Sequence, residues 1–95
     1  MRRSPMTIEA ARSIAFGGLG MLAEDPDRTA RFFNLSGLDP AQIRELADTP
    51  AFQAAVLAHI RADETLLLTF AANQAIDPED VERAERLLSG EPRSG

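Results

Sequence analysis

Four prolines, at positions 26, 40, 50 and 78, each follow a residue that can cap a helix. The pairs are Asp25-Pro26, Asp39-Pro40, Thr49-Pro50 and Asp77-Pro78. Inside a helix, proline removes a backbone N–H and clashes with the carbonyl one turn back. At the first helical position neither defect matters, and the preceding Asp or Thr side chain accepts from the open N–H groups. Four helix starts are therefore placed before any other property is considered. No stretch between them shows the apolar/polar alternation of a strand with β-branched residues. The chain reads as all-α, a compact six-helix domain over residues 1–95, ordered from about 6 to 89 and flexible at 1–5 and 90–95.

The first helix spans 7–23, with Ile8, Ala11, Ala15, Leu19 and Leu22 at helical spacing and either Ser4-Pro5 or Thr7 opening it. Gly17, Gly18 and Gly20 cost about 1 kcal/mol each relative to alanine there, so a kink or a close helix–helix approach is expected. Gly-Gly-x-Gly is not a phosphate loop here: no strand precedes it and no Lys-Ser/Thr follows. The second helix runs 26–35 with Thr29, Phe32 and Phe33 inward, ended by Ser36-Gly37. A short third helix runs from Pro40 to about Ala47. Asp39 and Gln42 have capping-box spacing, and Leu38 is placed to staple onto Ile43. The fourth carries Phe52, Val56, Leu57 and Ile60. In the last, Ile76 staples onto Val81, and Val81, Ala84, Leu87 and Leu88 form the buried stripe before Ser89-Gly90.

No Gly or Pro divides Ala51 from Asn73. One helix over 50–74 would be about 37 Å long, more than the width expected of so small a domain. An offset of 38 residues lays Asp25 on Asp63, Phe32 on Phe70 and Asp39-Pro40 on Asp77-Pro78. Asp63 then caps a new helix as Asp25 does, with a break near Ala62. The chain reads as two pseudo-repeated three-helix units, 7–47 and 50–89, packed face to face. Leu66, Leu67 and Leu68 point in three directions from a helix, which predicts that 63–74 is buried at the centre. The predicted core is Leu22, Phe32, Ile43, Val56, Ile60, Leu67, Phe70 and Val81.

Composition narrows the function. The longest apolar run is the five residues Ala54 to Ala58, far below the roughly 18 needed to cross a bilayer. After the basic start, Glu9 and Arg12 interrupt any signal-peptide core, so a cytoplasmic protein is expected, with no membrane partner. There is no cysteine, hence no disulfide or thiolate metal site. The net charge is −5, and residues 77–91 hold six acids against Arg83 and Arg86, which repels nucleic acid. A solvated helix face accounts for those acids.

Five stretches follow in order: Leu22-Ala-Glu-Asp-Pro26, Phe32-Phe-x-Leu-Ser-Gly-Leu-Asp-Pro40, Phe52-x-x-x-Val-Leu57, Ala62-Asp-Glu-x-Leu-Leu-Leu68 and Ile76-Asp-Pro78. On these motifs the chain resembles a family of small bacterial proteins, domain-of-unknown-function family 3572, from about residue 10 to residue 88. The resemblance implies an all-α fold and a cytoplasmic bacterial protein. It brings no activity, cofactor or catalytic residue.

The residues themselves form no complete site. His59, the single histidine, shares a helix face with Asp63 and lies near Glu64, but zinc needs three or four protein ligands. Glu79, Asp80, Glu82 and Glu85 stand in the first turns of a helix, where acids complement the dipole, rather than on a calcium loop. No nucleophile elbow surrounds any serine. No metal and no cofactor is expected. The chain reads as a non-enzymatic interaction or regulatory module, self-associating or capturing a helical partner. The alternative is a small-molecule binder or enzyme with a pocket between the two units. The candidate contact surface is Ile14, Phe16, Gly17, Gly20 and Met21, since the first helix has apolar residues on more than one face.

Overall fold

The computed structural model describes residues 6–90; the expectations for Ser4-Pro5 and for the ends at 1–5 and 91–95 lie outside the described residues. Within them the chain forms α1 (Ile8–Ala23), α2 (Pro26–Ser36), a 3-10 turn (Pro40–Gln42), α3 (Ile43–Leu46), α4 (Pro50–Arg61), α5 (Glu64–Gln74) and α6 (Pro78–Ser89), and no strand. The cap chemistry is the one the sequence implies. Thr7, Asp25, Thr49 and Asp63 accept from Ala10, Asp27, Phe52 and Leu66 N–H groups at 3.0, 3.0, 3.3 and 3.2 Å. Asp77 and Asp80 form a reciprocal capping box. Gly37 and Gly90 end α2 and α6 in the left-handed conformation.

The long apolar segment breaks where expected: α4 stops at Arg61 and Asp63 caps α5. Length is not the reason, since the molecule measures 42 Å along its longest axis and would hold a 37 Å helix. The reason is local. The Asp63 carboxylate takes the Leu66 N–H, which an uninterrupted helix would use internally.

The centre is α4, not α5. Helix α4 packs most extensively on α6 and α1 and also meets α2 and α5, while α1 lies along α6. It buries Phe52, Gln53, Ala54, Val56, Leu57 and Ile60, six of twelve residues. Helix α5 buries Leu66, Phe70 and Ala71; Leu67 is half-buried, and Leu68 is 51% exposed. Of the predicted core, Leu22, Phe32, Val56, Ile60, Phe70 and Val81 are buried, while Ile43 and Leu67 are half-buried. Leu87 sits at the edge of the α6 stripe, 37% exposed. Phe32 meets Phe52 edge-on, centroids 5.8 Å apart.

At the 38-residue offset the local conformations correspond. Phe32 and Phe70 are both buried, and Gly37 and Ala75 both adopt the left-handed region. The packing does not divide the same way. Helix α1 has more extensive contacts with α6 and α4 than with α2, and α3 is a single turn, so residues 7–47 are not a self-contained bundle. Asp39 also departs from its expected box: it accepts from Ala41 N–H at 3.0 Å and starts a 3-10 turn, leaving Gln42 outside the cap.

Candidate functional site

Helix α1 divides the predicted contact surface in two. Ala11, Ala15, Gly18 and Leu22 face the core. Ile14 and Met21 flank that face and pack, half-buried, against the hydrophobic cluster. Gly17 lies under the Gln74 side chain of α5: a Cβ there would come within 2.8 Å of it. Gly18 is the close-approach glycine. A Cβ on it would stand 2.8 Å from Ile60 Cδ1 and 3.2 Å from Val56 Cγ1, so its missing side chain lets α1 settle onto α4. The helix runs unbroken through the glycines. Phe16, 43% exposed, and Gly20, with nothing within 4 Å of its would-be Cβ, remain on the outer face.

A second feature lies between the two predicted units, where the alternative reading placed a pocket. An open cleft of about 560 Å³ lies between α2 and the junction of α4 with α5. Arg28, Arg31 and Leu35 form one wall; His59, Asp63 and Leu66 contribute to the other. The α2 residues stand at i, i+3 and i+7, one helical flank, beside the Phe32 and Phe33 that face the core. That spacing was readable in the sequence, but with no knowledge of the opposite wall it looks like an ordinary solvated face. Leu35 is 73% exposed at the lip. Asp27 and Glu64 bring the cleft to mixed charge.

His59 stands beside Phe32, ring centroids 5.3 Å apart and nearly perpendicular. Burial holds its pKa below the ordinary histidine value, the Arg31 guanidinium pushes the same way, and Asp63 opposes both. Asp63 lies past the helix break, so the two do not share one helix face; its carboxylate serves as the α5 cap. Arg28 pairs weakly with Asp25 at 3.8 Å, both largely exposed, while Arg31 makes no ion pair among the described residues.

The acids of α6 have a structural use. Arg61 of α4 hydrogen-bonds Glu85 and stands 3.8 Å from Glu82, which keeps its guanidinium more firmly protonated than usual and ties α4 to α6. Arg83 pairs with Asp80 and Arg86 with Glu82 along the helix. Among the described residues no group of three or more His, Asp or Glu side chains could hold a metal ion, and no helix is long and apolar enough to cross a membrane.

The sequence model of one family, Protein of unknown function (DUF3572), matches residues 8–91. The chain belongs to that family. The match covers all six helices of this DUF3572 protein, so the cleft and the α1 outer face both lie within the family region. No curated protein and no solved structure matches the chain.

Proposed function

We propose that this DUF3572 protein is a non-enzymatic interaction module that docks a protein partner in the cleft between α2 and the α4–α5 junction. The observation that carries the reading is Leu35, the most exposed large apolar side chain of the described residues, at the lip of a cleft that Arg31 also lines. Exposed apolar groups of this kind mark contact surfaces when they border a concavity. A partner segment with an apolar side chain against Leu35 and Leu66 and a carboxylate toward Arg31 fits the lining. The openness of the cleft to solvent and its mixed charge suit a peptide or helix better than an enclosed small molecule, which sets this reading above the pocket-enzyme alternative. The test is comparative capture from native extract with wild type, Leu35→Asp, Arg31→Glu and the remote control Leu68→Asp. The reading expects a protein retained by wild type and Leu68→Asp and lost with both cleft variants. Equal retention by all four proteins, or no retained protein, would overturn it.

Phe16 and Gly20 support a second reading, self-association through the outer face of α1, in which one copy's ring fills the space beside the other's glycine. Ile14, Gly17 and Met21 would border that contact rather than form it. Sedimentation at high micromolar concentration checks it: the wild type is expected to be heavier than Phe16→Ser, and equal monomeric masses would remove the idea.

A further inference from the structure

From residue 34 to residue 51 no side chain is buried. Within that stretch the 3-10 turn and α3 contact each other, but neither has a comparably extensive contact with any of the five longer helices. The segment touches the core only through the half-buried Leu38, Ile43, Leu46 and Ala47. At the ends of residues 37–48, Ser36 Oγ accepts from Leu38 N–H at 3.3 Å and Thr49 Oγ1 donates to the Leu46 carbonyl at 2.7 Å, and two further side-chain bonds tie the segment across to other parts of the helical body. One is an exposed Arg12–Asp48 pair at 3.3 Å. The other runs from Gln53 Nε2 of α4, which donates to the Ala47 carbonyl at 2.9 Å.

Gln53 is the unusual member. Among the described residues it is the one polar side chain buried in the core, 2% exposed, and its buried Oε1 has no hydrogen-bond donor among them. A buried amide oxygen without a donor costs free energy that water would restore. Lifting the segment away from Gln53 lets water reach that oxygen and replace the bond to Ala47. Closure therefore gains less than it would over an amide bonded at both ends, while the bond to Ala47 still holds the segment down. The ends are suited to a hinge: Gly37 has φ +74 with open space around it, and Asp48-Thr49 lies in the short link between α3 and α4.

We infer that residues 37–48 form a strap over Gln53 that opens as a unit while α1, α2, α4, α5 and α6 stay folded, giving the protein a built-in two-state element. Opening frees the apolar undersides of Leu38, Ile43 and Leu46 together with the Gln53 carboxamide. Such an element is what a conformational switch requires, and it does not depend on the cleft reading above.

Native-state hydrogen exchange on the full chain tests this. The amides of Gln42, Ala47 and Thr49, bonded to Asp39, Ile43 and Leu46 carbonyls, report the strap; Leu57 and Ile60 report α4. The strap amides are expected to exchange at least about 100-fold faster than the α4 amides, with one shared opening and little response to low urea. Gln53→Met keeps the side-chain length and removes the tether. It should speed strap exchange roughly tenfold, the scale of one net hydrogen bond, relative to Leu57 and Ile60. Strap amides with the protection and urea slope of α4 would overturn the inference. So would three unrelated opening rates, which mean fraying, or a Gln53→Met effect shared equally by strap and core.

Discussion

Gly17, Gly18 and Gly20 stand side by side in α1 and have three different surroundings. Gly18 is wedged against α4, Gly17 lies under a flexible glutamine end, and Gly20 is open. The same substitution therefore has opposite signs at two of them. Gly20→Ala gains helix propensity without a contact and should stabilise by about 0.5–1 kcal/mol. Gly18→Ala gains the same propensity but drives a methyl into Ile60 and Val56, both buried, and should lose about 1–3 kcal/mol net through overpacking. Paired urea denaturation curves check the contrast, and shifts of the same sign would contradict the assigned packing. His59 yields a second prediction. Its folded pKa lies below its unfolded value, so in the interval below about 6.5 the unfolded chain binds the extra proton. Stability owed to this group is complete above that interval and falls as pH drops through it. Burial and Arg31 of α2 disfavour the imidazolium, and Asp63 partly offsets them; Arg28, Asp27 and Glu64 are the other charged groups that line the cleft. NMR titration of the single imidazole should give a pKa below 6.5, and wild type should lose more stability than His59→Gln between pH 7.5 and 5.5.

At the scale of the element, Asp63 decides whether residues 50–74 are one helix or two. Asp63→Ala removes the carboxylate that holds Leu66 N–H and should cost about 1 kcal/mol, as loss of an N-cap generally does. Thermal melting of the variant measures it; an unchanged midpoint would mean that packing alone holds the corner. Starts and stops of helices were legible because Asp-Pro, Thr-Pro and Gly act within a few residues. The ranking of helices was not. Three successive leucines suggested that α5 is central, yet Leu68 faces solvent. Helix α4 occupies the centre with Ala54 buried and Ala55 and Ala58 half-buried. Alanines add little to an apolar tally, but their small size permits the close helix contact that makes α4 central. The 3-10 turn after Asp39 was equally unreadable, because the Asx bond to Ala41 and a capping box begin from the same residue types.

At the scale of the whole molecule, the cleft shows where one-dimensional reading stops. In the sequence His59 and Asp63 are near neighbours, and Arg28, Arg31 and Leu35 belong to a different helix; only the return of α2 toward the α4–α5 corner sets them opposite one another. The outer-face residues Phe16 and Gly20 were found from spacing alone, whereas the flank with Ile14 and Met21 turned inward because α1 contacts α4, α5 and α6 together. That same arrangement orders events in time. The stripe Ala11, Ala15 and Leu22 is synthesised well before one of its principal partners, the face Val81, Ala84 and Leu88. At about 5–20 residues per second, α1 spends several seconds without its α6 counterpart, and a ribosome that stalls before Val81 releases a product unable to close.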